Sequence, residues 1–344
     1  MQVFRGFHHP GIAPACALTI GNFDGVHRGH QAMLALLRNE AQHRGLPSCV
    51  MTFEPHPRDW FATRAGKPEL APARIATLRD KLTELERCGI DQVVVLRFDE
   101  ALASLSAADF IERVLQQGLG ARYVLVGDDF RFGAQRAGDY DMLDRAGAAA
   151  GFDVARLNSY QVHGQRVSSS AVREALQAGN MALTAELLGR PYSISGHVVH
   201  GRKLGRSLGA SAAGASDGFR TLNVRFPHAK SAAHGIYAVR THGLVGEPVW
   251  GVASLGVRPT VENAGRVLLE VMCFDWPSEL GVEGGYGKIV RVDLLHKLRD
   301  EARYDGLDAL TAAIRQDAVN ARAFFAASSA GHAATGRQTT RDRI

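Results

Sequence analysis

Two histidines three residues apart, His27 and His30, stand in the string GNFDGVHRGH (21–30), between the apolar run ACALTI and the helical pattern QAMLALLRNEAQH. At that spacing both imidazoles lie on one face of a helix that begins at the string. The glycines allow close backbone approach, and a helix start offers unpaired N–H groups with partial positive charge. Such equipment suits an anion that gains charge during a reaction, a phosphate above all. The string lacks the Gly-Lys-Ser/Thr ending of a P-loop. Zinc is the other chemistry that paired histidines suggest, but no further Cys or His stands at ligand spacing.

A second group lies in the other half of the chain. In RTLNVRF, Thr221 and Asn223 are two apart and share one face of a strand. A hydroxyl and an amide carbonyl are hard oxygen donors suited to a magnesium ion held mainly by substrate phosphates, although the pair equally reads as the polar face of a half-exposed strand. The preceding HGRKLGRSLG (200–209) favours the first reading, because a glycine-rich backbone can cradle the phosphates of ATP. In VLLEVMCF, Glu270 faces the same side as Leu268 and Met272, where an ionised carboxylate is costly without a partner. It is a candidate general base, with a salt-bridged edge-strand glutamate as the rival reading.

The elements that must position these groups fall into two sets. From ACALTI to FDVARL, apolar runs (PSCVMTF, QVVVLRF, ARYVLVG) alternate with helical patterns (ARIATLRDKLTELERCG, SAADFIERVLQQG, YDMLDRAGAAAG), the signature of a doubly wound parallel sheet covered on both faces. Two short helices follow over about 170–188. Beyond them come six strand-like runs with turn signals, from SGHVVHG to KIVRVDLLHKL, which predict a small antiparallel barrel closed by the helix LDALTAAIRQDAVNARAFFAA. The expected division is 1–188, 189–328, and a tail, 329–344, with too few apolar residues to pack and therefore expected to be disordered.

Composition sets outer limits. Of 344 residues, 46% are hydrophobic and 22% charged, which is ordinary for a globular chain. Forty basic residues against thirty-five acidic ones give +5, and their mixing along the chain favours small anionic ligands over nucleic acid. Cys16, Cys49, Cys88 and Cys273 are far apart and form no CxxC motif, as reduced thiols of a cytoplasmic protein would. No apolar run is long enough to span a bilayer.

Taken as a whole, GNFDGVHRGH resembles the HxGH signature of the nucleotidylyltransferase superfamily. TFEPHPRDWF (52–61), VGDDFRFGAQRAGD (126–139) and VSSSAVREAL (167–176) follow in the order expected of bacterial bifunctional riboflavin kinase/FAD synthetases. The later segments GRKLGRSLG, RTLN, GVRPT (256–260), EVMCFD and LHKLRDEARYDGLDAL (295–310) resemble the kinase half of the same family. The resemblance implies ATP-dependent phosphorylation of riboflavin to FMN, then adenylylation of FMN to FAD with release of pyrophosphate, using magnesium. His27 and His30 are then expected at the triphosphate, with Gly21, Phe23, Asp24 and Gly29 of the same string. Ser168, Ser169 and Ser170 would meet phosphate oxygens at a helix start with help from Arg173, or merely cap that helix. Asp129, Phe130 and Arg131 would line the nucleotide or flavin pocket. Phe53 would stack on the isoalloxazine, unless it is a plain core residue.

On the barrel, the resemblance puts Gly201, Lys203, Gly205 and Arg206 at ATP, Thr221 and Asn223 at magnesium, Glu270 at the ribityl hydroxyl and Arg299 at the flavin. Three departures bear on the kinase. Pro-Thr-Ala-Asn has become Arg220-Thr221-Leu222-Asn223, ASAAGASDG (210–218) is inserted before it, and Ser254 replaces an asparagine. A monofunctional FAD synthetase with a flavin-binding barrel, or a non-catalytic flavin-binding regulator, are the alternatives.

Overall fold

The computed structural model describes residues 1–158, 160–162, 164–200, 221–228, 230–257, 267–281 and 284–338, with only the backbone of Gln165 and of 329–338. The chain divides into two compact units, Met1–Val172 with Leu187–Gly189 and Arg173–Glu186 with Arg190–Ile344.

The first unit begins with β1 (Gln2–Arg5), β2 (Cys16–Ile20), α1 (Arg28–His43), β3 (Ser48–Glu54), α2 (Pro57–Arg64), α3 (Leu78–Arg87) and β4 (Gln92–Arg97). It continues through α4 (Glu100–Ala103), α5 (Ala107–Asp109) with a π-helical extension over Phe110–Gly118, β5 (Ala121–Gly127), α6 (Tyr140–Ala150), β6 (Asp153–Leu157) and the hairpin β7 (Gln161–Val162) and β8 (Gln165–Arg166). The six-stranded sheet has the order β1-β4-β3-β2-β5-β6, every pairing parallel.

Side-chain alternation explains why the strands read as unbroken apolar runs. Cys16, Leu18 and Ile20 of β2 join Met51, Leu96 and Val126 in one core, closed by Phe110, Val114 and Leu143. Ala17, Val50, Val95 and Leu125 point to the opposite core, closed by Leu34 and Leu37 of α1 and Leu85 of α3. Successive residues thus face different helices, and both faces are predominantly apolar. Leu34 and Leu37 are fully buried; burying each contributes roughly 1.5–3 kcal/mol and seats α1 on the sheet. The sequence reading contains neither β1, four residues long, nor α2.

Helices α7 (Ser169–Gln177) and α8 (Met181–Leu188) precede the barrel, which consists of β9 (Tyr192–Val199), β10 (Thr221–Arg225), β11 (Gly235–His242), β12 (Val249–Val257), β13 (Val267–Cys273) and β14 (Ile289–Arg299). Its strands close in the order β10-β13-β12-β11-β14-β9. One parity fills the interior with Leu222, Val224, Tyr237, Val239, Leu255, Leu269 and Val271, all buried. The other parity carries Ile236, Ala238, Val252 and Met272, which pack with Ile314, Ala318, Ala321 and Phe324 of the closing helix α9 (Leu307–Gln338). That helix runs ten residues, 329–338, into the segment for which composition predicts no packing.

Candidate functional site

In the first unit the chain runs outward from β2 through β3 and β4, then returns to place β5 on the other side of β2. Open parallel sheets bind ligands outside the carboxyl ends of the strands at such a switch point. The loop after Ile20 and the loop after Gly127 both start there.

The first loop holds an unusual backbone. Phe23 and Val26 have φ of 48° and 42°, and Gly25 of 84°; a non-glycine residue held in the left-handed region costs of order 1–3 kcal/mol. Buried contacts over-determine the shape. The Asp24 carboxylate accepts hydrogen bonds from the backbone N–H of Ile75 at 3.2 Å and of Ala76 at 3.1 Å, with Arg74 Nε 3.8 Å away. A Cβ on Gly25 would come within 2.8 Å of Ile75 Cγ2. Asp24 therefore clamps the loop to the segment leading into α3. Its carboxylate is thereby engaged within the protein and sets the course of the loop.

His27 caps α1: its Nδ1 accepts the His30 N–H at 3.3 Å, which leaves the proton of a neutral ring on Nε2. The His30 ring stacks on it, with centroids 3.6 Å apart and 15° between planes, and the Phe23 ring meets His30 at 4.9 Å, tilted by 55°. Burial, then the neighbouring His27 and Lys81, hold the His30 pKa well below the ordinary histidine value. Its Nδ1 is buried with no hydrogen-bond partner among the described residues. Gly29 passes the His27 ring and the Val167 carbonyl where a Cβ would lie 3.3 and 3.4 Å away. Gly21 likewise passes the Phe23 ring, 3.1 Å from a would-be Cβ.

Two helix starts converge at this point. Ser169 Oγ donates to the Asp24 carbonyl at 3.0 Å, tying the start of α7 to the loop ahead of α1. Ser168 Oγ accepts from the Ala171 N–H at 3.2 Å as a cap, and Ser170 is exposed. Arg173, four residues beyond Ser169 on α7, shares its helix face. The loop after β5 is more open: Asp129 is solvent-facing, 4.0 Å from Arg166, and Arg131 is paired with Asp139 at 3.2 Å. Phe53 is half-buried in the core and edges onto Phe98 at 5.9 Å. Phe98 in turn meets Trp60 at 5.6 Å and Phe61 at 5.7 Å. Phe61 is half exposed, so this wall extends to solvent beyond the one aromatic expected from sequence.

Beneath the loop lie charged groups that the sequence reading missed. Arg74, 2% exposed, reaches Glu54 at 3.3 Å and Asp59 at 3.1 Å. Lys81, fully buried, donates to Thr52 Oγ1 at 3.3 Å. Burial, then Arg74, lower its pKa to about 8 against the pull of Glu54, Asp24 and Asp59. One signal for Lys81 was present: it stands in the apolar stripe of Leu78, Leu82 and Leu85.

On the barrel, strand register brings the second group together. Asn223 of β10 is paired with Glu270 of β13, and Glu270 with Ser254 of β12, so the three side chains form a polar row on the face that carries Ile236 and Met272. Asn223 is buried, and its Oδ1 has no hydrogen-bond partner among the described residues. A buried amide oxygen left unpaired is costly, and a hard cation or its ligand would satisfy it. Thr221 lies two residues away on the same face. Ser254 Oγ donates to Glu301 at 3.1 Å. The guanidinium of Arg299 is held by Asp317 of α9 at 2.8 and 2.6 Å. Gly201, Lys203, Gly205, Arg206, the 210–218 insertion and the last residues of GVRPT lie outside the described residues.

A nucleotide-type parallel sheet with two helix starts and paired histidines at its switch point, joined to a closed barrel with a Thr–Asn–Glu face, defines a two-domain phosphoryl- and nucleotidyl-transferring enzyme. The family model described as FAD synthetase matches residues 10–171, and that described as riboflavin kinase matches residues 188–325. A bifunctional riboflavin kinase/FMN adenylyltransferase of Escherichia coli (strain K12) is 45% identical, over 94% of this chain and 98% of that protein. The Pseudomonas fluorescens protein of the same description is 44% identical over 95% and 99%. A crystal structure described as a macrolide-efflux protein from Streptococcus pneumoniae superposes with a TM-score of 0.73 at 26% identity, covering 94% of this chain and 99% of that one. The chain belongs to the bifunctional riboflavin kinase/FMN adenylyltransferase family, and it converts riboflavin to FMN and FMN to FAD with ATP. Among the described residues no helix is long and apolar enough to cross a membrane.

Proposed function

We propose that the two reactions run in separate sites, adenylylation within 1–188 and phosphorylation within 189–328. The observation that carries this reading is the convergence of the α1 and α7 starts on one strained loop. Adenylyl transfer needs little covalent help from a protein: the FMN phosphate attacks the α-phosphorus of ATP and pyrophosphate leaves, so positioning and charge stabilisation dominate. His27 and His30 donate from their Nε2 side to the triphosphate as charge spreads. Gly29 lets the phosphates approach the start of α1, Gly21 and Phe23 shape the loop before it, with the Gly21 N–H donated to the Met51 carbonyl at 3.1 Å, and Ser169 and Ser170 meet the phosphates from the second helix. Asp24 holds the loop. Asp129 and Arg131 border the pocket mouth, and Phe53 backs an aromatic wall whose exposed member, Phe61, can stack on the flavin.

On the barrel, Glu270 takes the proton from the ribityl 5′-hydroxyl as that oxygen attacks the γ-phosphorus of ATP. Thr221 and Asn223 hold Mg2+, which when bound neutralises phosphate charge. Arg299, with Nε and Nη2 donating to Asp317, positions α9 and borders the flavin site. The free state of all four cysteines supports a cytoplasmic setting. Incubating the protein with ATP and magnesium, and with riboflavin or FMN, tests the pairing of sites and reactions in combination with His30→Ala and Glu270→Gln. FAD from FMN in the His30→Ala protein would refute the first site, and FMN from riboflavin in the Glu270→Gln protein the second.

A further inference from the structure

Asp24, Glu54 and Asp59 share a single guanidinium, that of Arg74, in the buried ground under the loop. Three carboxylates against one cation leave negative charge where a triphosphate must bind. The ammonium of Lys81 is the other cation acting on these groups. It is fully buried and, among the described residues, its ammonium donates to Thr52 Oγ1. Thr52 Oγ1 in turn donates at 3.3 Å to the carbonyl of Asn22, inside the strained loop. A buried lysine with so few partners is expensive, and an apolar residue of similar length would fill the same place in the Leu78–Leu85 stripe at less cost. Its retention needs a reason other than packing.

We infer that Lys81 is a positioning residue for adenylyl transfer: its charge offsets the carboxylates beneath the phosphate loop, and its hydrogen bond through Thr52 holds the Asn22 carbonyl that sets the loop's course. The inference rests on the placing of the triphosphate at His27 and His30. Lys81 faces Arg74 from the segment before α3, Glu54 from β3, Asp59 from α2, Asp24 from the loop and His30 from α1. Loss of its proton near pH 8 removes a positive charge that acts on these carboxylates and weakens polyphosphate binding. Bound ATP, itself anionic, favours the ammonium, so the alkaline limb falls at lower pH in kcat/KM than in kcat.

The full-length protein is assayed for both reactions from pH 6 to pH 10 as wild type, Lys81→Met and Lys81→Arg, with His30→Ala alongside. Lys81→Met should lower kcat/KM for FMN adenylylation by about tenfold to a hundredfold at neutral pH, much of it in KM for ATP, and leave riboflavin phosphorylation within about twofold. Lys81→Arg should restore most of the rate and move the alkaline limb upward, since a guanidinium keeps its proton. Adenylylation by Lys81→Met within about threefold of wild type, or an unmoved limb in Lys81→Arg, would overturn the inference. Should the methionine variant fail to fold, the limb of the arginine variant decides. Full adenylylation by His30→Ala would instead refute the placing of the triphosphate.

Discussion

Asn223 and Glu270 are directly opposed across the β10–β13 ladder, so an amide oxygen with no hydrogen-bond partner among the described residues and the proposed base stand side by side on the outer face of the barrel. Residues so paired have Cβ atoms about 5 Å apart, close enough for one to hold a cation at the phosphates while the other addresses the attacking hydroxyl. Glu270→Gln keeps the shape and removes the basic oxygen. It should lower kcat for riboflavin phosphorylation by about 10²–10⁴-fold and leave FMN adenylylation unchanged, as read by chromatography of the flavins.

Asn223→Ala removes the orphaned oxygen without adding charge. Riboflavin phosphorylation should then demand more magnesium, seen as an upward shift of the magnesium titration midpoint. Thermal unfolding should move little or upward, because a buried unpaired acceptor has been deleted.

His30→Ala should abolish detectable FAD formation from FMN and spare FMN formation from riboflavin. The stacked pair also makes adenylylation tolerant of mild acid: His30, with its Nδ1 buried and its pKa held well below the ordinary value, stays neutral as pH falls through 6.5. A step in adenylylation centred on the ordinary histidine value would show that His30 is not shielded as the geometry requires.

Asp24→Ala strips the clamp from the loop and leaves Arg74 short of one partner. Breaking a buried charge pair costs roughly 3–5 kcal/mol. Trp60 is the one tryptophan before residue 189, so its fluorescence in a denaturant titration should report early unfolding of that unit, with the barrel transition in place.

Lys81 gives stability and activity opposite pH dependences. Its pKa is about 8 in the fold against an ordinary 10.5. Below pH 8 both the folded and unfolded states carry the proton and the cost of burying it is felt in full. Between pH 8 and 10.5 the unfolded chain binds more protons, so this residue's contribution to stability rises with pH, by up to about 3 kcal/mol. The stability difference between wild type and Lys81→Met should change by that amount across the window, as measured by denaturant unfolding at each pH. A flat difference would place the Lys81 pKa near its ordinary value.

Both halves of the fold were legible in the sequence because each rests on a local period. β2 to β5 read as continuous apolar runs since Leu18 and Ala17 serve different cores, and the barrel strands alternate because only one parity is interior. His27 and His30 were legible because neighbours in the chain make their geometry. The clamp was not: Asp24 meets Ile75 and Ala76 across fifty residues, and nothing local announces it. Lys81 was hidden by a sound general rule, that a lysine on an amphipathic helix belongs to its wet face. Arg299 shows the converse, a motif residue whose fork is committed to Asp317, a partner no short pattern contains.

The seam of the barrel carries one more consequence. Val199 of β9 and Asn223 of β10 are register partners, so the pairing that completes the cylinder also holds the two ends of the intervening stretch, with its 210–218 insertion, side by side. Lengthening a tether between fixed points costs only about 0.6 kcal/mol per doubling. The seam thus works as a socket: it fixes where that stretch leaves and re-enters the cylinder, so a change in its length need not alter the strands that seat it.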